Sequence, residues 1–293
     1  MPRDRRTQCL GIAALIAVVA WLGVLFSGPR PLEITFFDVG DGLCAVLRSP
    51  SGHTLVMDCG TSGRRDNTSV GRKLVGPYLQ SLGLDGVDVA VLTHPHADHA
   101  SGFAGLLKME PAALVLECGA KYNTPEHTAF LGAVRACRAR YRIARRGQVL
   151  DMGDGVTARI LDPSPGVNYK NLNDNSIVMR ITYKRVAILL DADASEAAER
   201  DMLDSGLNLR AQVLQVGHHG SRDATSPQWL SAVRPRIAII SCARRSHYGF
   251  PSRQVLDRLA SINARTYSTG QCGAVTISTD GDTIDVRTVR DRP

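Results

Sequence analysis

The 293-residue sequence contains no low-complexity tract, internal repeat or linker between residues 32 and 291, which excludes a disordered or collagen-like chain. Its seven cysteines form no CxxC pair, which excludes a zinc ribbon, and their odd number excludes a fully paired disulfide framework within one chain. Aromatic residues make up only 5% of the chain, which disfavours stacking platforms for single-stranded bases. Outside one stretch near the N-terminus, long hydrophobic runs are absent, which excludes a polytopic membrane protein.

The positive charge of the chain comes almost entirely from arginine, because there are 30 arginines and only five lysines. The formal net charge is +7 at pH 7. Arg3, Arg5 and Arg6 against Asp4 contribute +2 of it, and the remaining residues carry +5. A mildly basic body of this kind is compatible with a polyanionic substrate, although many soluble proteins without such a substrate have a similar charge.

The N-terminal segment has the pattern of a membrane signal. Cys9 to Phe26 form eighteen residues without a charge, just long enough for a spanning helix, and the charge before them predicts that the following chain lies outside the cytoplasm. We therefore predict a basic segment over 1–9, a transmembrane anchor or signal over 10–26 and a linker over 27–31. A cleaved leader, giving a secreted protein, and a buried N-terminal helix are the alternatives.

Residues 32–291 are predicted to form one α/β domain. Short apolar strands such as 88–93, 112–118 and 211–217 alternate with helical patterns over 70–82 and 124–140. The strands fall into two groups, each interrupted by helices. This order predicts two sheets packed face to face with helices outside, an αββα sandwich.

The strongest chemical pattern is an HxHxDH motif in a loop, directly after the buried strand 88–93. Imidazole and carboxylate groups are the ligands of zinc, manganese and iron. The alternation allows His94 and His96 to face one ion, and Asp98 and His99 to face a neighbouring one. His53 and His127, which lie outside the histidine motifs, are predicted to be surface residues.

On this motif the sequence resembles the metallo-β-lactamase fold over residues 32–291. That fold is an αββα sandwich that binds a pair of metal ions between its sheets. The resemblance implies that Asp58 orients the metal-binding loop and that Asp193, with Asp191 as the competing candidate, bridges the ions. In the segment VGHHGS it implies that His218 is a ligand, while His219 and Ser221 face the substrate.

The opening FFDVGDG, the HHGS segment and the late segment YGFP narrow the resemblance to the metallo-β-lactamase domain of ComEC-type proteins of bacterial DNA uptake. In that family the domain lies outside the cytoplasm and is thought to degrade the strand that is not imported. The family's further histidine before the bridging Asp is missing here, and the segment from Asn173 to Ser176 stands nearer its place. Candidate substrate-binding residues are Ser221, Asn175, Tyr248 and Arg244.

The resulting prediction is a metal-dependent hydrolase on the extracytoplasmic side of the membrane that cuts phosphodiester bonds in DNA with two zinc or manganese ions. Asp98, Asp58 and His219 are its catalytic candidates. Hydrolysis of a small ester, lactone or cyclic nucleotide is one alternative, and a non-catalytic DNA-binding accessory is another. Six arginines between 135 and 146 either hold nucleic-acid phosphates or form a solvated helix end.

Overall fold

The computed structural model describes residues 30–62 and 69–291. The predicted basic segment, anchor and most of the linker lie outside the described residues, so these domain boundaries stay predictions. None of the helices within the described ranges has the length and apolar character needed to cross a bilayer.

Fifteen strands occur in the described part of the chain. In chain order they are β1 (Leu32–Phe36), β2 (Cys44–Arg48), β3 (Thr54–Cys59), β4 (Val87–Leu92), β5 (Ala112–Glu117), β6 (Arg140–Ile143), β7 (Val149–Asp151), β8 (Val156–Asp162), β9 (Val178–Tyr183), β10 (Val186–Leu190), β11 (Val213–Gln215), β12 (Ile237–Ile240), β13 (Arg265–Ser268), β14 (Val275–Thr279) and β15 (Ile284–Thr288). They form one sheet of order β15-β14-β1-β2-β3-β4-β5-β6 and a second of order β13-β12-β11-β10-β9-β8-β7.

The helices of the described part follow the strands as connections. They are α1 (Gly76–Ser81), α2 (Ala97–Ala100), α3 (Phe103–Met109), α4 (Pro125–Ala136), α5 (Glu196–Asp204), α6 (Pro227–Val233), α7 (Arg253–Ser261) and α8 (Thr269–Cys272). A π-helical turn, Gly71–Val75, leads directly into α1. A 3₁₀ turn, Leu172–Asn175, and a turn with left-handed residues, Gly217–Gly220, lie beside the candidate site.

Three apolar layers hold these elements together. The layer between the sheets contains residues of both, for example Leu55 and Val91 from the first and Ile188 from the second. Alternate residues point outward, because successive side chains of a strand face opposite sides. They pack against helices α1, α3 and α4 on the first sheet and against α5, α6 and α7 on the second. The predicted αββα sandwich is therefore confirmed.

Local differences from the prediction lie in short or edge elements. The helix predicted over 124–140 ends at Ala136, because Arg138 adopts a left-handed backbone with φ of 56° and Ala139 N–H bonds back to Val134. Strand β6 begins at Arg140, where the helix was predicted to end. The strands β6, β7 and β13 were not predicted. These strands have three or four residues and carry little periodicity.

His127 was predicted to lie on the surface, and this prediction is wrong. The side chain lies on α4 and is buried against the first sheet. Its Nε2 lies 2.8 Å from Oε1 of Glu117, at the end of β5, and its Nδ1 donates to the carbonyl of Tyr122 at 2.6 Å. His53 is exposed, as predicted.

Candidate metal centre

The candidate site lies where the carboxyl ends of parallel strands from both sheets meet. Strands β3, β4 and β5 are parallel in the first sheet, and β10 to β13 are parallel in the second. Loops that follow such strand ends form the crevice in which α/β proteins bind ligands. Asp58 ends β3, His94 follows β4, Asp193 follows β10 and His218 follows β11. Residues far apart in the chain therefore share one cleft.

The carboxylate of Asp58 fixes the start of the histidine motif. Its Oδ1 accepts a hydrogen bond from the Thr93 N–H at 2.8 Å, and its Oδ2 accepts one from the Thr93 hydroxyl at 2.7 Å. The same Oδ2 accepts Nδ1–H of His99 at 2.7 Å. Asp58, His94 and His99 are completely buried. The side chain predicted to orient the loop thus contacts both ends of it.

The two carboxylate oxygens of Asp193 face different pairs of imidazoles. Its Oδ1 lies 3.3 Å from Nε2 of His99 and 3.5 Å from Nε2 of His219. Its Oδ2 lies 3.8 Å from Nε2 of His218 and 3.9 Å from Nε2 of His94. His96 adjoins the second pair, with its Nδ1 2.9 Å from Nε2 of His94. Asp193 therefore stands between two groups of donors, as a bridging carboxylate would.

Asp98 completes the group around Oδ1 of Asp193. Its Oδ2 lies 3.4 Å from Nε2 of His219 and 3.9 Å from Nε2 of His99. One ligand atom from each of four residues falls within 4.8 Å of all the others, namely from Asp98, His99, Asp193 and His219. This set has the composition of a divalent metal site.

Hydrogen bonds behind the imidazoles orient their other nitrogens toward the cluster. His219 donates Nδ1–H to the carbonyl of Ser241 at 2.8 Å, and His218 donates Nδ1–H to Oδ1 of Asp223 at 3.2 Å. Together with the bond from His99 to Asp58, these contacts occupy Nδ1 and leave Nε2 as the nitrogen that faces the cluster. Metal-ligating histidines characteristically hold their second nitrogen in this way.

Several polar atoms at the cluster are buried without a hydrogen-bond partner. They are Nε2 of His99, Nε2 of His219, Oδ1 of Asp193 and Oδ1 of Asn173. Buried polar atoms are almost always paired, because an unpaired one costs about 1–3 kcal/mol. Atoms that lack a partner yet face one another across 3.3–3.5 Å are explained by a cation between them. The residues present therefore fit a metal ion.

The charges of the cluster oppose the effect of burial. Burial alone would raise the pKa of Asp193, but His219 and His99 hold it well below its usual value. Burial alone would lower the pKa of His99, but Asp193, Asp58 and Asp98 raise it well above the usual value. Burial, and then the charge of His99, hold the pKa of His94 well below its usual value. The cluster thus concentrates negative charge around ring nitrogens, as a cation-binding site does.

Left-handed backbone conformations occur at or just after the strand ends that carry the residues of the cluster. Asp58, Ala192, His218 and His219 have φ values of 56°, 49°, 46° and 54°. Such conformations cost about 1 kcal/mol or more in residues other than glycine, and they cluster at functional sites. In the turn Gly217–Gly220 they point two consecutive imidazoles at opposite oxygens of Asp193.

Two glycines allow the loop of the HxHxDH motif to pack closely. A Cβ added at Gly60 would lie 2.4 Å from backbone atoms of Asp98 and His99, and one added at Gly42 would lie 2.8 Å from the carbonyl oxygen of Asp98. The N–H of Leu43 also donates to that carbonyl at 3.1 Å. Only glycine permits this approach, so the first sheet directly supports the loop.

The cluster opens into a cleft of about 390 Å³. The residues that line this cleft can be compared with the predicted substrate-binding residues. Tyr248 lines it, with 64% of its surface exposed. Asn175 does not line it: its side chain is buried and bonds to backbone atoms of Tyr169 and Asn171. Ser221 and Arg244 are not among the lining residues either. Asn175 is therefore turned away from the cleft, and the substrate-binding roles of Ser221 and Arg244 stay predictions.

Other residues at the cleft were not predicted. Asn173 lines it and donates Nδ2–H to Nε2 of His218 at 3.1 Å, so Asn173 rather than Asn175 faces the site. Phe250 lies 5.7 Å from the His218 ring and 6.1 Å from the His219 ring. His219, predicted to face the substrate, lies instead within the cluster. The segment from Asn173 to Ser176 was identified from the sequence, but Asn175 was the residue selected within it.

Comparison with known proteins agrees with this geometry. The sequence profile of the Metallo-beta-lactamase superfamily matches residues 37–244. Among solved structures, the metallo-beta-lactamase fold protein YhfI from Bacillus subtilis aligns with a TM-score of 0.52 at 13% identity, covering 81% of this chain and 95% of that one. The CmlA beta-hydroxylase aligns with a TM-score of 0.52 at 12% identity, covering 86% and 54%. At these identities the structures support the fold alone.

Curated relatives are more similar in sequence. Recombination protein 2 of Haemophilus influenzae is 30% identical over 258 residues, covering 88% of this chain and 30% of the relative. Competence protein ComA of Neisseria gonorrhoeae is 29% identical over 245 residues, covering 83% and 31%. ComE operon protein 3 of Bacillus subtilis is 26% identical over 253 residues, covering 83% and 32%. The chain thus spans about a third of the length of these relatives.

Proposed function

This chain belongs to the metallo-β-lactamase superfamily, and from that membership we propose that it is a metal-dependent phosphodiesterase that cleaves DNA. The hydrolase fold and the candidate metal site are the basis of the proposal. We propose three things beyond the fold and the candidate site: that the substrate is DNA, that the metal is zinc or manganese, and that the individual residues have the roles given below.

The observation that carries the proposal is the position of Asp193 between two groups of imidazoles. A carboxylate with one oxygen toward each group could hold two neighbouring ions at once. We assign one ion to His94, His96, His218 and Oδ2 of Asp193, and the other to Asp98, His99, His219 and Oδ1 of Asp193.

When bound, such a pair lowers the pKa of water to about 7 and polarises a phosphodiester. The chain's own residues do the rest. Asp98 has 24% of its side chain accessible, and His99 and His219 hold its pKa below the usual value against burial. It therefore stays an acceptor that orients the attacking water. Asn173 and Tyr248 in the cleft wall are placed to donate hydrogen bonds to phosphate oxygens.

The curated relatives favour DNA over a small substrate. Two of them bear names that refer to competence and to recombination, and both processes act on DNA. The basic net charge agrees with a polyanionic substrate. The cluster argues against the alternative of a pure binding module, because binding DNA does not require a complete set of metal ligands.

The test is incubation of the full 293-residue chain, loaded with manganese or zinc, with end-labelled linear DNA. We expect cleavage that stops after chelation with EDTA and in the Asp98→Asn variant. The matched control is Asp85→Asn, which removes the same charge from an exposed turn before β4 and should cleave at the wild-type rate. Cleavage that survives both chelation and Asp98→Asn would refute the metal mechanism.

The alternatives predict different outcomes of the same assay. One outcome is that the chain binds the metals and leaves DNA intact, but hydrolyses a carboxylic ester or a cyclic nucleotide. This outcome would favour the alternative of a small substrate. A chain that retains DNA affinity without cleaving any of these substrates would support the accessory role.

We further propose that this domain works outside the cytoplasm, attached to the membrane through residues 10–26. The proposal rests on the uncharged run after the basic start of the sequence. Protease treatment of spheroplasts tests it: an extracytoplasmic domain is digested while the membrane remains intact, and a protected one would contradict the proposal.

A further inference from the structure

Three neighbouring cavities that share lining residues follow one another from the outer edge of the first sheet to the cleft at the metal cluster. Two cavities of about 520 and 500 Å³ lie between α4 and the edge strand β6, and Leu131 and Tyr141 line both of them. The second cavity also contains Tyr122, which lines the catalytic cleft in turn. We call the two cavities together the edge groove.

The edge groove is basic along its length. Arg135 and Arg138 line its outer half and Lys121 lines its inner half. Arg140 and Arg142 alternate with Tyr141 and Ile143 along β6 and therefore project from the opposite face of the strand. The three basic side chains that line the groove are exposed, and none of them forms an ion pair with another residue of the described ranges. Their charge is therefore available to an external anion.

The one carboxylate that lines the groove is buried and hydrogen-bonded within the domain. Glu117 is 1% exposed, and its two oxygens are hydrogen-bonded to Nε2 of His127 and to the hydroxyl of Tyr141. The second bond also holds the Tyr141 ring in a fixed position beside the groove.

Exposed aromatic rings follow the same path. In the part of the chain that the structure describes, three tyrosines and no other aromatic residue of Phe, Tyr or Trp type are exposed: Tyr122 at 40%, Tyr141 at 42% and Tyr248 at 64%. Tyr141 and Tyr122 line the groove, and Tyr122 and Tyr248 line the cleft. Tyr122 packs edge-to-face on His96, with ring centroids 5.5 Å apart. The overall scarcity of aromatic residues thus conceals a local concentration.

We propose that the edge groove binds a single strand of DNA and leads it to the metal cluster. That the strand leads toward the metal cluster rests on the proposed function, in which the cluster cleaves DNA. Exposed arginines neutralise phosphates, and tyrosine faces stack on bases only when those bases are unpaired. A duplex keeps its bases inside, so it would use the arginines without the rings. Of the six arginines of 135–146, the proposal assigns Arg135 and Arg138 to binding, whereas Arg146 is paired with Asp162 and Asp201 within the domain.

The test measures binding without turnover. The full chain in EDTA is titrated against fluorescein-labelled oligothymidylate, by fluorescence anisotropy, as a function of salt. We expect the double variant Arg135→Gln/Arg138→Gln to bind about tenfold more weakly, with a salt slope reduced by about 1.4, because each lost contact with a single strand contributes about 0.7. Tyr122→Ala should weaken binding about tenfold through lost stacking.

The matched control is Arg236→Gln/Arg265→Gln, which removes the same charge. Both arginines are exposed at the amino ends of β12 and β13, away from the strand ends that carry the site. This variant should bind as the wild type does. Unchanged affinity and slope in the groove variant, or equal weakening in the control, would overturn the proposal. The proposal would also be overturned if the wild type bound the duplex of oligothymidylate and oligoadenylate as tightly as it binds single-stranded oligothymidylate. Failure of the wild type to bind the single strand at all would overturn it as well.

The two proposals fail separately. Single-strand binding that depends on Arg135 and Arg138, together with intact DNA in the metal-loaded assay, refutes the nuclease and keeps the groove. DNA cleavage together with a groove variant that binds normally refutes the groove and keeps the nuclease.

Discussion

Nδ1 of His99 lies 2.7 Å from Oδ2 of Asp58, and both side chains are completely buried. Because the carboxylate only accepts, it takes the hydrogen bond of Nδ1–H, so Nε2, which faces Asp193, is the nitrogen left for a metal ion. A residue at the end of β3 that contacts no other member of the cluster therefore determines whether His99 can bind a metal ion.

We predict that Asp58→Asn lowers metal affinity by about 10- to 100-fold, the usual effect of losing such a partner. An amide has one acceptor oxygen in place of the two that serve Thr93 and His99. Titration of the apo chain with zinc against a competing chelator measures the change.

Asp88→Asn is the matched control for this variant. Oδ2 of Asp88 accepts hydrogen bonds from the N–H and hydroxyl of Thr54, at 2.7 and 3.2 Å, in the same manner as Asp58 does from Thr93. It lies at the start of β4, however, away from the cluster. The metal affinity of Asp88→Asn should therefore equal that of the wild type. An equal loss in both variants would mean that general damage to the sheet explains the effect.

The two carboxylates after β10 provide a second prediction. Asp193 faces the cluster, whereas Oδ2 of Asp191 accepts Nε1–H of Trp229 at 2.8 Å behind it. We predict that Asp193→Asn loses both metal ions, because each group uses one of its oxygens, and that Asp191→Asn keeps both. Metal content after gel filtration measures this. Retention of both ions by Asp193→Asn would contradict a bridging role.

Single histidine variants distinguish the two groups of ligands. We predict that His219→Ala loses the ion shared with Asp98 and His99, and that His218→Ala loses the other one, so that each variant retains a single ion. Metal analysis after dialysis counts the ions. His53→Ala, on the exposed surface, should retain both. If His218→Ala also retains both, His218 is not a ligand.

The general plan of the site could be predicted because its residues directly follow apolar strands. A buried strand fixes where its last residue lies, so polar residues after several such strands are expected at one end of the sheets. The structure brings together most of the residues predicted on this basis, which are His94, His96, Asp98, His99, Asp193 and His218 around the cluster, with Asp58 behind it.

The remaining details depend on contacts that sequence patterns do not contain. The choice between His218 and His219 depends on left-handed turns and on the Ser241 carbonyl, which a different strand supplies. Asn175 turns inward because its side chain bonds to the backbone of its own loop. The helix end at Ala136 has no glycine to mark it. Each of these is a tertiary or local hydrogen-bond effect.

The close packing at Gly60 provides a fourth prediction. A methyl group there would lie 2.4 Å from the backbone of Asp98 and His99, so Gly60→Ala should lower the free energy of unfolding by about 1–3 kcal/mol and weaken metal binding. Gly132→Ala is the control: Gly132 lies in α4 with nothing near its Cβ position, and the change should stabilise by up to about 1 kcal/mol. Urea unfolding measures both, and a Gly60→Ala variant as stable as the wild type would contradict the packing argument.

A fifth prediction concerns Glu199, a buried carboxylate on α5 outside the cluster. Its oxygens accept hydrogen bonds from the backbone N–H groups of Thr225 and Ser226, and burial raises its pKa from 4.5 to about 7. Between these values the folded chain retains a proton that the unfolded chain has released. The free energy of unfolding should therefore fall as pH rises from 4.5 to 7, by up to about 3 kcal/mol from this group.

Glu199→Gln cannot ionise, so it should lack this part of the pH dependence. Urea unfolding of both proteins across this pH range, with a chelator present so that metal release adds nothing, gives the difference between them. That difference should shift in favour of the variant by about 3 kcal/mol as pH rises. Glu126→Gln, at the start of α4, should follow the wild type. Parallel curves for the wild type and Glu199→Gln would mean that Glu199 is ionised throughout, held by the two N–H groups that it accepts.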